Sequence, residues 1–281
     1  MEQERIILIG AGNVAHHLAV NLLKRGANLC QIYSRSLESA RELGTRTGVS
    51  YTHAVGQIFP DGDVYLFCVS DDALQPLLKT MRIKNDPLLL HTSGTLPISL
   101  FKPYSSRYGV LYPLQTFSKH RQLDFAEIPV FIEGNTPAVL SRVQRIAEEL
   151  TPKIYPVDAK RRGGLHLAAV FACNFPNFLY HLAGEMLKEQ ELDFSVLRPL
   201  IYETAHKVMT LPPEEAQTGP ARRGDETVMS RHRNKLKNEP ELQTLYSLLS
   251  ELIRQKFTPE EEKEEEKPAA MCQEDNMPTL F

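Results

Sequence analysis

Three features of the chain predict an α/β domain built on a doubly wound parallel sheet, followed by an all-helical domain. Short β-rich runs, apolar on both faces, alternate with helical patterns up to about residue 157, as central parallel strands do when helices cover each side. A glycine-rich turn joins the first such run to the first helical pattern. From Lys160 onward only helical periodicity is found. The expected domains are therefore 1–157 and 158–258, with a tail over 259–281.

The first run is Arg5-Ile6-Ile7-Leu8-Ile9-Gly10, and the helix after it covers Asn13 to Gly26, with Val14, Leu18 and Leu22 at helical spacing. Lys24-Arg25-Gly26 places cations and a glycine stop where the helix dipole favours them. Asn28–Tyr33 is the second strand, so a βαβ unit opens the chain. Asp63–Val69 and Pro87–His91 continue the sheet, and Pro129–Glu133 and Lys153–Val157 flank the amphipathic run Ala138–Leu150. The helical domain reads as Leu165–Glu189, Ser195–Met209 and a last helix opened by Asn238-Glu239-Pro240-Glu241, with Leu242, Leu245, Leu249, Leu252 and Ile253 as its apolar stripe. Beyond Pro259 the Glu/Lys run is too charged to bury and reads as a disordered tail.

Composition narrows the function classes. Hydrophobic residues at 42% and charged residues at 24% are ordinary for a soluble globular chain, and a net charge of −3 offers no basic footprint for nucleic acid. No run of about 18 apolar residues suggests a membrane span, and Met1-Glu2-Gln3-Glu4-Arg5 lacks a signal-peptide h-region, so a cytoplasmic location is expected. The four cysteines, Cys30, Cys68, Cys173 and Cys272, form no C-x-x-C pair, which argues against a disulfide framework or a cysteine zinc site. No metal site is expected. His16 and His17 are adjacent, about 100° apart on a helix, and read as packing and surface residues.

Gly10-Ala11-Gly12-Asn13-Val14-Ala15 is a G-x-G-x-x-A placed where a strand ends and a helix begins. The first glycine permits the turn, the second lets backbone approach a pyrophosphate, and Ala15 lets helix and strand pack closely; this is a Rossmann dinucleotide turn. An NAD site puts a carboxylate at the end of the second strand, where this chain has Ser34-Arg35-Ser36. A guanidinium flanked by hydroxyls suits a 2′-phosphate, so the expected cofactor is NADP(H). Val69 and Ser70 are expected on the ribose side, Thr92 and Ser93 near the nicotinamide; Asp71 and Asp72 read as caps of the next helix.

The glycine loop, Ser34-Arg35-Ser36, His91-Thr92-Ser93-Gly94 and Tyr112-Pro113-Leu114-Gln115-Thr116-Phe117 together resemble the Rossmann-like proteins that carry the DUF2520 domain. Two later segments, His166 to Phe175 and Thr218 to Asp225, resemble that family's signatures, so the likeness spans about residues 5–256. The resemblance implies kinship with pyrroline-5-carboxylate reductase and a 6-phosphogluconate dehydrogenase C-terminal-like helical domain that forms a homodimer and borders the substrate. It supplies neither substrate nor catalytic residues. The lysine of the hydroxyacid branch is absent, and His166 and Asn174 stand on the helix instead.

His166 and Asn174, eight apart on one helix, would lie about 80° apart and roughly 12 Å along its axis, able to line one cleft without touching. The histidine can hand a proton to a carbonyl or imine while the amide orients the substrate. Ser93 beside the nicotinamide and Arg223 on the Thr218–Asp225 loop complete the catalytic candidates, Arg223 as a grip for carboxylate or phosphate and Asp225 as either part of that loop's grip or a helix cap. The reading is an NADP(H)-dependent oxidoreductase acting on a small carbonyl, imine or alcohol held between the domains. Two alternatives share these residues: a non-catalytic NADP(H)-sensing protein, and an adaptor that docks a partner through the C-terminal Met277-Pro278-Thr279-Leu280-Phe281 plug.

Overall fold

The computed structural model describes residues 4–257; the acidic tail, the C-terminal plug and Cys272 lie outside the described residues. Its strands are β1 (Arg5–Ile9), β2 (Asn28–Tyr33), β3 (Ser50–Thr52), β4 (Val64–Phe67), β5 (Leu88–His91), β6 (Arg107–Pro113), β7 (Val130–Gly134) and β8 (Ile154–Pro156). They form one sheet in the order β3-β2-β1-β4-β5-β6-β7-β8, which puts the reversal of strand order at β1 and β4. Ligands of open α/β sheets bind at that reversal, outside the strands' carboxyl ends.

Strand periodicity divides the interior into two cores. Ile6, Leu8, Val64, Leu66, Leu88 and Leu90 point to one face. There they meet α1 (Asn13–Lys24) through Ala15, Leu18 and Leu22, and α4 (Pro137–Glu148) through Val139 and Val143. Ile7, Ile9, Tyr65, Phe67 and Leu89 point to the other face, where α3 (Asp71–Thr80) covers them with Leu74 and Leu78. These side chains are almost fully buried, each burial worth roughly 1.5–3 kcal/mol, which is why the strands read as continuous apolar runs. Two caps fix the helices at the sheet's carboxyl edge and beyond it: Ser36 accepts from Ser39 N–H at 3.2 Å to start α2 (Leu37–Thr47), and Thr136 accepts from Val139 N–H at 3.2 Å to start α4.

The sheet departs from the expected one in three ways. β3 is a three-residue edge strand, too short for a period-2 signal. β6 carries Gly109 and ends in Pro113, residues that break a strand pattern in sequence. Gly109 is required there because a Cβ would run into the Glu133 carbonyl of β7. The β6–β7 pairing is also antiparallel, so β7 and β8 run against the rest of the sheet. His16 and His17 are both buried, at 3% and 6% exposure, rather than surface residues. Asp71 lies in the first turn of α3 without capping it: its carboxylate accepts from Ser93 Oγ at 3.0 Å and from Thr95 Oγ1, tying the ends of β4 and β5 together.

Past β8 the chain is helical. Asp158 accepts from Arg161 N–H at 2.8 Å and starts α5 (Ala159–Ala169). The expected continuous helix is interrupted by a π-helical turn over Val170–Asn174, in which Phe175 N–H reaches back to the Val170 carbonyl, before α6 (Phe175–Lys188) resumes. Pro176 has no N–H for the carbonyl one turn earlier, and a widened turn accommodates that loss. The remaining helices are α7 (Arg198–Lys207), α8 (Pro213–Ala216), α9 (Glu226–Lys235) and α10 (Pro240–Phe257).

The described chain divides into two compact units, one ending at Leu182 and the next starting at Ala183. Strands give way to helices between β8 and α5, and the first unit runs on through α5, which is pinned to the sheet by the contacts described below. In the second unit Asp225 accepts from Val228 N–H at 3.1 Å to cap α9, and the Arg222 guanidinium sits 4.5 Å over the Phe257 ring.

Candidate active site

A cleft of about 710 Å³ opens at the carboxyl ends of β1, β2 and β4. Gly10, Ala11 and Gly12 form its floor, Ser34, Arg35 and Ser36 one end, and Val69 and Ser70 another wall. The two loop glycines serve different purposes. Gly10 has φ +121°, and a Cβ there would lie 2.7 Å from the Cys68 carbonyl carbon, so it exists for the fold. A Cβ on Gly12 would meet no protein atom within 4 Å, so the space that Gly12 keeps open faces the cleft. Asn13 and Val14 form the first turn of α1, with no acid in that turn, and Ala15 is fully buried behind them. An anion at this helix start meets unpaired N–H groups and the positive end of the dipole. The fit of a dinucleotide diphosphate rests on this open, N–H-lined floor.

At the far end, Ser34 Oγ accepts from Ser36 N–H at 3.3 Å and Ser36 Oγ accepts from Ser39 N–H at 3.2 Å. Both hydroxyls are thus used as acceptors and keep a proton to donate. Arg35 is exposed between them, and no carboxylate stands at the end of β2, though Asp72 of α3 also lines the cleft.

Thr92 and Ser93 lie outside that lining, just past β5. Ser93 Oγ donates to Asp71 and accepts N–H groups from Thr95 and Leu96, each at 3.0 Å. Its hydroxyl ties the turn together. Beside it, His91 is 1% exposed; its Nδ1 accepts from Ser93 N–H at 3.1 Å, and burial pushes its pKa down to about 3, so the ring is neutral.

The same turn leads to a cluster that the sequence motifs did not assign. Tyr112 on β6 faces Phe131 across the β6–β7 ladder, and Val110 faces Glu133, so Tyr112 and Glu133 project to one face of the sheet. α5 crosses that face with Arg162 and His166, one helical turn apart on the same side. Arg162 is fully buried; it pairs with Glu133 and donates to the Leu96 carbonyl at 2.6 Å. His166 Nδ1 lies 3.0 Å from Tyr112 Oη. Gly94 makes this approach possible, since a Cβ would lie 2.6 Å from His166 Cγ. Burial raises the Tyr112 pKa, so the phenol is protonated at neutral pH and can donate to Nδ1. With the phenol as donor Nδ1 is the acceptor, which is the tautomer that carries its N–H on Nε2.

Asn174 is exposed and belongs to the π turn, so the 80° relation expected from an unbroken α-helix no longer holds: an extra residue in a turn rotates all that follows by about 100°. Arg223 is exposed on the loop of the second unit, where Arg222 donates to the Glu214 carbonyl at 3.3 Å. Arg162, Glu133 and Tyr112 escaped the sequence reading. The available signals were an arginine four residues before His166 and the tyrosine of the Tyr112–Phe117 segment. Among the described residues no cluster of His, Cys, Asp or Glu is arranged to hold a metal, and no helix is long and apolar enough to cross a membrane.

Comparison with known proteins identifies the chain's relatives. Residues 5–93 match the family described as NADP oxidoreductase coenzyme F420-dependent, and residues 128–253 match the domain of unknown function DUF2520. No curated protein matches the sequence. A crystal structure from Bacteroides fragilis, classed as an NADP oxidoreductase, is 43% identical with TM-score 0.87, covering 90% of this chain and 98% of its own. A Thermotoga maritima protein is 25% identical with TM-score 0.75, over 89% of this chain and 98% of its own. The 1-pyrroline-5-carboxylate reductase of Streptococcus pyogenes shares the fold, with TM-score 0.58 at 11% identity over 90% of this chain and 99% of its own. The chain belongs to the family of the Bacteroides fragilis protein, NADP oxidoreductases that join a Rossmann domain to a DUF2520 domain.

Proposed function

We propose that the chain is an NADP(H)-dependent reductase of a small carbonyl or imine, with His166 as proton donor and Tyr112 as the residue that sets its tautomer. The observation that carries this reading is the Tyr112 Oη–His166 Nδ1 pair, taken together with a cleft whose open Gly12 floor and Arg35 suit a 2′-phosphorylated dinucleotide. The cofactor, when bound, supplies the hydride. Ser34, Arg35 and Ser36 would hold the 2′-phosphate, the Gly10–Ala15 turn the diphosphate, and Val69 and Ser70 the ribose, with Thr92 and Ser93 toward the nicotinamide end. As the substrate's C=O or C=N carbon gains two electrons, its oxygen or nitrogen takes the proton on His166 Nε2 while the Tyr112 phenol passes its own proton to Nδ1, and solvent then reprotonates the phenolate. Arg162 and Glu133 fix α5 over β6 and β7 and so hold the imidazole in place. Asn174 is the residue proposed to orient the substrate.

The test is kinetic. Tyr112→Phe should lower kcat about 10- to 100-fold in NADPH-driven reduction across a panel of small ketones and imines, with KM nearly unchanged and the alkaline limb of the pH profile displaced. His166→Ala should lower it further. NADPH binding without reduction of any panel member, and no effect of either substitution, would support the non-catalytic sensing protein instead.

We further propose that the chain works as a homodimer. Leu167, Phe171, Phe175 and Phe178 recur along α5, the π turn and α6 at 48–64% exposure, and Leu200, Tyr202 and Met209 are 64–79% exposed in the second unit. Among its described residues only Ala221 and Met229 are buried hydrophobics, so the helical unit lacks a core of its own. Apolar surface on that scale is ordinarily covered by a partner, and a second copy supplies the same helices. Light scattering should give twice the 31.8 kDa chain mass; a monomer at micromolar concentration would end this part of the proposal.

A further inference from the structure

A second cavity, of about 310 Å³, shares no lining residue with the nucleotide cleft. It lies between α1, the end of α2 and residues 119–124, and its charged lining is Lys24, Arg46, Lys119, Arg121 and Asp124. Among the described residues only Lys119 of these cations is ion-paired, to Glu42 at 2.8 Å, and Asp124 uses its carboxylate to cap a short 3₁₀ turn through Ala126 N–H at 3.0 Å. Cations gathered around a concave surface without matching carboxylates repel one another, and the repulsion is relieved by an anion.

His16 supplies the independent observation. It lines the same cavity, is 3% exposed, and neither ring nitrogen has a hydrogen-bond partner. Its neighbour shows that this is not general looseness: His17 Nε2 donates to the Ser118 carbonyl at 2.9 Å and its ring packs on Phe117 at 5.1 Å, anchoring the chain that leads into the cavity wall. A buried polar group left unpaired is costly, and a leucine would fill the same place against α1's apolar neighbours at no such cost. An imidazole there is accounted for by a ligand that accepts its N–H.

We propose that this cavity is a binding site for the phosphate group of a small phosphorylated molecule, gripped by Arg46, Arg121 and Lys119 with His16 donating from beneath. The site is separate from the dinucleotide's phosphates, because its lining shares nothing with the Gly10–Ala15 loop or the Ser34–Ser36 turn.

The experiment titrates inorganic phosphate into the full chain at constant ionic strength, by calorimetry and by thermal unfolding, with and without saturating NADPH. Saturable binding that persists beside NADPH is expected, with the unfolding midpoint raised by about 5–10 °C at roughly 100 times Kd. Arg46→Gln, on the exposed side of α2, should weaken phosphate at least about tenfold while leaving NADPH affinity unchanged. His16→Leu should raise the midpoint without phosphate and abolish the phosphate response. The proposal is overturned if phosphate gives no saturable response, if NADPH displaces it, if Arg46→Gln binds as the parent does, or if only polyanions such as oligonucleotides bind.

Discussion

Replacing Arg35 by alanine removes the cation at the Ser34–Ser36 end of the cleft while leaving Ser34 and Ser36 in place to shape the turn. A hydrogen bond to a charged group contributes about 1.5–3 kcal/mol. Arg35 is exposed, so solvent screens its charge and the lower figure applies. About 1.5 kcal/mol corresponds to roughly a tenfold rise in Kd for NADPH. NADH has no phosphate for the guanidinium to meet, and its Kd should stay within about twofold. The gap should narrow as salt rises, because exposed charges are screened over a Debye length of about 8 Å at physiological ionic strength. Arg35→Lys should recover part of it, since the ammonium keeps the charge and loses the two-pronged fork. Fluorescence titration of both coenzymes against the three proteins measures all of this. Equal losses for NADPH and NADH in Arg35→Ala, or a parent protein that prefers NADH, would refute the assignment.

Two further outcomes follow from the same geometry. Gly12→Ala should leave the unfolding free energy within about 0.5 kcal/mol, because its Cβ meets no protein atom, yet abolish coenzyme binding; Gly10→Ala, at φ +121° and against the Cys68 carbonyl, should lose at least about 3 kcal/mol of stability. Urea unfolding of the two variants beside a coenzyme titration separates these effects, and a destabilised Gly12→Ala would contradict them. The pH dependence comes chiefly from His91. Its folded pKa of about 3 lies below the usual 6.5, so its contribution is complete above pH 6.5 and is lost as pH falls toward 3, by about 2–3 kcal/mol between 6.5 and 4.5. His16, whose pKa burial and Arg46 also lower, adds in the same direction. His91→Gln, which can still accept from Ser93 N–H, should flatten that slope; an unchanged slope would show that His91 is not the group responsible.

The parts of this molecule that were legible in the sequence are those settled within a few neighbouring residues. The G-x-G turn demands glycines wherever it occurs, a doubly covered strand such as Arg5–Ile9 must be apolar on both faces, and an arginine between serines at the end of β2 declares its charge without reference to the rest of the chain. The change from strands to helices near residue 157 is likewise a change of period along the chain.

Tertiary structure alone brought Tyr112 to His166. Tyr112 meets His166 only because β6 and β7 pair antiparallel, α5 crosses them, and Gly94 yields the space; these four pieces are separated by 18 to 72 residues, and no local period encodes their meeting. The same long-range packing saturated the Ser93 hydroxyl, buried Arg162 against Glu133, and left His16 without a partner. Whether a polar side chain is available depends on its neighbours in space, since a donor or acceptor satisfied by the fold has nothing left to offer a substrate.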